Sequence, residues 1–311
     1  MDLSAAIENA RRWGAKLCLI GALSVTALGL SACAISDESR AYRDYSAFMA
    51  QTGRFRQERA PLDAPYTKDD LVRNFEKVAF VPERQLAAFY AKRTGERRLS
   101  KWPKGFTYAV VGDGVRSSDR EEVERIMAIL RSRSGLDIRP DYQRPLMTIF
   151  VLSAEARRQV GEAEGAKAWY HGSLFRDWVE TLNPPCFALF DASTPDGGAI
   201  RSGAVFVKAE IEEPLRGACL VEELTQSMGL IFDHDDVRPS IFNDDQEFIA
   251  LTQHDEDLLE ILYDPRLKAG MTRAQAGPIV RRIVKEKKRL GASTPAAKQR
   301  SADASAAQRR G

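Results

Sequence analysis

The sequence predicts an α+β fold. Helical stripes of apolar residues follow capping boxes, short unbroken apolar runs read as buried strands, and both kinds share one continuous core. The 311 residues are 44% hydrophobic and 29% charged, a balance that lets most of the chain fold. Lys+Arg 46 against Asp+Glu 44 gives a net charge of +2, which argues against a dedicated nucleic-acid binder. Four Cys and three His exclude a zinc ribbon or an array of zinc fingers.

Taken in order, residues 1–32 read as a secretory signal. Arg11, Arg12 and Lys16 precede an apolar run from Leu17 to Leu30, which is too short to span a bilayer. The run ends in Leu30-Ser31-Ala32-Cys33. Residues 33–66 are polar and Arg-rich, with Pro61 and Pro65, and are expected to be a tether. Residues 67–271 form the main domain. Thr67-Lys68-Asp69-Asp70 is a capping box opening a helix with Leu71, Phe75 and Val78 on one face. Phe106–Val111 reads as a strand, and Ser118-Asp119-Arg120-Glu121 as a second capping box whose helix stops at Gly135. Leu146–Leu152 has no turn residue and reads as a strand buried on both faces.

A polar helical stretch around 154–181 follows. Two further strands, Cys186–Phe190 and Ala204–Ile211, flank the turn Thr194-Pro195-Asp196-Gly197-Gly198. Residues 272–290 read as a basic amphipathic helix, with Ile279, Val280, Ile283 and Val284 as its stripe. From Arg273 onward eleven Lys/Arg face two Asp/Glu, so the helix can lie on anionic lipid or pack by its stripe with a solvated basic face. Residues 291–311 are expected to be a disordered basic tail. His171, His254, Trp102, Trp169 and Trp178 read as ordinary loop, cap or core residues.

The Leu-Ser-Ala-Cys site resembles the lipobox of bacterial lipoproteins, in which the Cys is acylated. The resemblance implies a membrane anchor at Cys33 on the periplasmic face, with Ala34 favouring the outer membrane; a plain cleaved signal is the alternative. Cys186 and Cys219 then remain in an oxidising space. They are a natural disulfide pair that would contribute roughly 3–4 kcal/mol, or else two buried thiols.

The segment Ala218–Leu230 is a helix ending at a Gly. It resembles the metzincin zinc-binding pattern with the ligands replaced: Glu222, Gln226 and Phe232 stand at the three ligand positions, Glu223 at that of the catalytic Glu, and Gly229 at the turn Gly. Ser240-Ile241-Phe242 lies where a Met-turn would fall. The resemblance implies a zincin-like mixed sheet, a long motif helix and a helical C-terminal part. With Asn243-Asp244-Asp245 and Tyr263–Leu267, the segment also resembles a family of Gram-negative lipoproteins built on a domain of unknown function, over roughly Asp69 to Ile283.

Carboxylate, amide and phenyl would bind zinc poorly, so no cofactor is expected. Were the domain active, Glu222, Gln226 and His234 would hold a divalent metal and Glu223 would act as general base. The acidic run Asp233, Asp235, Asp236, Asp244 and Asp245 can bind calcium, although it lacks EF-hand spacing, or can form a solvated, turn-capping loop. The expected role is therefore that of a lipid-anchored, non-catalytic domain that binds a protein, peptide or envelope polymer in the former cleft. The alternative is a metallohydrolase with an unusual metal set.

Overall fold

Met147–Leu152 is buried along its whole length and forms the centre of a mixed five-stranded sheet. The computed structural model describes residues 37–82, 97–162, 174–192, 198–243 and 245–287. Its strands are β1 (Phe106–Val111), β2 (Ile138–Pro140), β3 (Met147–Leu152), β4 (Cys186–Asp191) and β5 (Ser202–Lys208), in the order β2-β1-β3-β5-β4. All neighbours are parallel except β4, which runs antiparallel to β5 and ends the sheet.

Alternation along each strand divides the core in two. Ile149, Val151, Val205 and Val207 join the large cluster on one face. Phe150, Leu152, Ala204 and Phe206 join a smaller aromatic cluster with Phe175, Trp178 and Phe187 on the other.

There are eight helices among the described residues. They are α1 (Asp37–Gln51), α2 (Lys68–Phe80), α3 (Ser117–Ser134), α4 (Ala154–Glu162), α5 (Leu174–Glu180), α6 (Leu215–Gln226), α7 (Gln253–Leu262) and α8 (Arg273–Glu286). The Thr67 box opens α2 as its sequence predicts. The second box does not form on Ser118. The N-cap lies two residues earlier, at Arg116, and the Asp119 carboxylate accepts the Arg116 N–H at 2.7 Å. Gly135 closes α3 in the left-handed region at φ 71°. The three-residue β2 is too short to show any periodicity and escapes a pattern reading.

The N-terminal segment differs most from expectation. From Asp37 onward the expected tether is folded: α1 buries Tyr42 and Met49, and the loop after it buries Phe55. Arg56 bridges to Phe248 and its carbonyl accepts the Ile249 N–H at 2.9 Å. The charged residues of this stretch, which made it read as solvated, are consumed in specific pairs: Glu38 with Arg157 and Lys208, and Arg59 with Glu256.

At the other end α8 turns Ala276, Val280, Ile283 and Val284 inward and packs against α2. It is the packed helix of the two alternatives and is continuous with the domain. Trp102 and Trp178 are core residues, and His254 is fully buried against Asn74. Trp169, His171, the 194–197 part of the predicted turn, the signal, Cys33 and the 291–311 tail lie outside the described residues. No described helix is long and apolar enough to cross a membrane.

Candidate functional site

The motif helix α6 is aimed by one buried arginine. Arg216 in its first turn is 0% exposed. Its guanidinium forks onto the Asp119 carboxylate at 2.6 and 2.7 Å and donates to the carbonyls of Gly114, Ala209 and Ile211. Every donor is satisfied, so the exits of β1 and β5 and the starts of α3 and α6 are tied together. Burial alone would raise the pKa of Asp119; the Arg216 fork and the Arg116 N–H hold it below the usual carboxylate value.

At its far end α6 gives way to Gly229 at φ 118°. A Cβ there would stand 2.0 Å from the Ser100 carbonyl oxygen, so the turn requires glycine. The last carbonyls, of Ser227 and Met228, accept from Trp102 Nε1 at 3.0 Å and Tyr263 Oη at 2.9 Å.

Between these fixtures α6 runs beside the edge strand β4. Cys219 and Cys186 form a disulfide across this contact, with Cα atoms 5.9 Å apart. One turn further on, Glu223 is buried and accepts the backbone N–H of Ala188 in β4. Burial first, and the charge of Asp233 second, push its pKa up to about 8 against the opposing effect of that N–H. Gln226, the next residue on this face, donates from Nε2 to both Asp233 carboxylate oxygens at 2.8 and 2.7 Å. Glu223, Gln226, Asp233 and the Ala188 amide therefore form one polar group at the sheet edge.

The other sequence-identified residues are distributed differently. Phe232 is fully buried in the core, and the Arg97 guanidinium lies 5.6 Å from its ring centroid. His234 places Nε2 2.9 Å from the Val81 carbonyl at the end of α2; the residue that meets Gln226 is its neighbour Asp233. Ser240 is buried and donates to Asp255, which is also the capping carboxylate of α7.

The acidic run disperses. Asp233 faces Gln226, Asp236 pairs with Lys77, and Asp245 pairs with Arg54 at 3.6 Å. Asp244 lies outside the described residues. Among the described residues no group of three or more His, Cys, Asp and Glu could hold a metal ion. The residues that the metzincin resemblance would make ligands do not fit zinc either, because Phe232 offers no donor and the Gln226 amide is already bound. In the sequence Asp233 belongs to the acidic run, and Ala188 carries no signal of its own. The contact of Gln226 with Asp233 skips the turn at Gly229, and a backbone amide leaves no side-chain signature.

A protein-family model described as Protein of unknown function (DUF2927) matches residues 68–282. No curated protein matches the chain.

Proposed function

The chain belongs to the DUF2927 family, and from that premise we propose that it is a lipid-anchored periplasmic lipoprotein whose zincin-like domain binds an extended peptide without cleaving it. One observation carries the reading. The motif helix lies beside an antiparallel edge strand, as a peptide-binding cleft requires, while its ligand positions hold a carboxylate, an engaged amide and a core phenyl ring. The central residues of β4, Ala188–Phe190, are only half-buried, so an extended segment of a protein or envelope polymer can add to the sheet at this edge by displacing Glu223 from the Ala188 N–H. The Cys186–Cys219 disulfide supports an oxidising compartment, and the lipobox-like site at Cys33 supports the anchor, with the outer membrane favoured.

Metal analysis of the soluble chain from Ala34 onward, purified without chelator or metal affinity, tests the proposal. Substoichiometric metal that does not rise after zinc addition is expected. Near-stoichiometric zinc or another transition metal would sink it. Glu223 favours a second reading, hydrolysis, because a carboxyl with a pKa near 8 can exchange protons at neutral pH. In that case Glu223→Gln would abolish turnover, whereas the binding role predicts no turnover in either protein.

A further inference from the structure

We infer that the domain is held flush against the bilayer, with the Leu182 loop and the N-terminal end of α1 forming the face toward the lipid. The inference rests on the lipoprotein reading and adds to it a surface and a distance. A tether over residues 33–66 would let the domain range on the order of 110 Å from its anchor. The folded α1 shortens this leash to the four residue steps from Cys33 to Asp37, at most about 14 Å.

The start of α1 is fastened to the sheet. Glu38 accepts from Arg157 at 2.7 and 2.9 Å and from Lys208 Nζ at 3.0 Å, and both basic residues are almost fully buried. Arg157 also pairs with Glu210 at 2.5 Å. The Tyr42 hydroxyl donates to the Leu182 carbonyl, and Lys208 Nζ reaches the same carbonyl and that of Thr181. The loop before β4 is thus joined to the point where the lipid-bearing chain leaves the domain. Leu182 itself is 43% exposed and lies on this loop, where a bilayer at the anchor would cover it. Because β4 begins four residues later, the inference also brings the start of that strand, at Cys186, close to the membrane.

The test uses acylated protein reconstituted into phosphatidylcholine–phosphatidylglycerol vesicles that carry a nitroxide on the lipid headgroup. With Cys33 acylated and Cys186 bonded to Cys219, one introduced cysteine gives one labelling site. A fluorophore on Leu182→Cys, with Glu180→Cys as a second placement, should be strongly quenched. The same fluorophore on Arg139→Cys, exposed on the opposite edge strand β2, should not be. Inserting a twenty-residue Gly/Ser linker between residues 36 and 37 should abolish the quenching while the protein stays on the vesicles. Absence of acyl mass on Cys33 would overturn the anchor reading together with this inference. Acylated protein with no quenching near Leu182, or with equal quenching at Arg139, would overturn this inference alone.

Discussion

A carboxyl as enclosed as Glu223 links folding to pH. Its folded pKa of about 8 lies above its ordinary value of 4.5, so the folded chain holds a proton that the unfolded chain releases. The group costs nothing below pH 4.5, destabilises increasingly as pH rises toward 8, and has a constant effect above that. Glu223→Gln keeps the acceptor for the Ala188 N–H and removes the titration. The variant should be close to the parent in stability at pH 5 and more stable by on the order of 3 kcal/mol at pH 8. Urea unfolding at both values measures this; a pH-independent difference would show that Glu223 is ionised in the folded chain. The Arg216–Asp119 pair works in the opposite sense. Both side chains are about 1% exposed, so Asp119→Ala leaves a buried guanidinium without its counter-charge and should cost about 3–5 kcal/mol. The same urea titration reads this loss at neutral pH. A cost under about 1 kcal/mol would mean that water reaches Arg216.

At the scale of elements, α1 and α8 are the two whose roles change when the chain is seen folded. Glu38→Ala leaves Lys208 buried with only carbonyl partners and deprives Arg157 of one carboxylate. It should destabilise the domain by about 3 kcal/mol and open the amides of α1 to hydrogen exchange. Unchanged exchange across 37–51 would mean that α1 is attached by some other contact. Truncation before Arg273 should be worse tolerated, because it uncovers the face of α2 that α8 covers, and the shortened chain should bind a hydrophobic dye.

The sequence exposed those elements whose signals are local. The Thr67 cap, the Gly135 and Gly229 stops, and the unbroken apolar strand β3 all declare themselves within a few residues. It concealed α1 because only Tyr42 and Met49 of its fifteen residues are buried, and the salt-bridge partners of Glu38 lie more than a hundred positions away. The site was legible to the same extent. Glu223 and Gln226 stand out by their spacing on one helix, whereas Asp233 and the Ala188 amide join them only through the turn and the sheet edge.

For the molecule as a whole, the disulfide decides how firmly the site is held together. Its two cysteines are separated by 33 positions and connect the edge strand to the motif helix, so the closed loop contains all of β5 and the first turn of α6. In the chain-entropy model a loop of this length restricts the unfolded ensemble by roughly 3.5 kcal/mol. Loss of the bond also removes the covalent hold between β4 and α6, one helical turn from Glu223. Two effects should therefore appear together when a Cys186→Ser/Cys219→Ser chain is compared with the parent. The melting temperature should drop by several degrees, in line with the size of the domain. The Glu223 carboxyl should also gain access to water, so that its pKa moves back toward 4.5 and the pH dependence of stability flattens. Thermal melts across pH 5–8 measure both. A lower melting temperature with the pH slope intact would show that Arg216, and not the disulfide, positions α6 against β4. Loss of both would show that the site depends on an oxidised chain, as the proposed periplasmic location would supply.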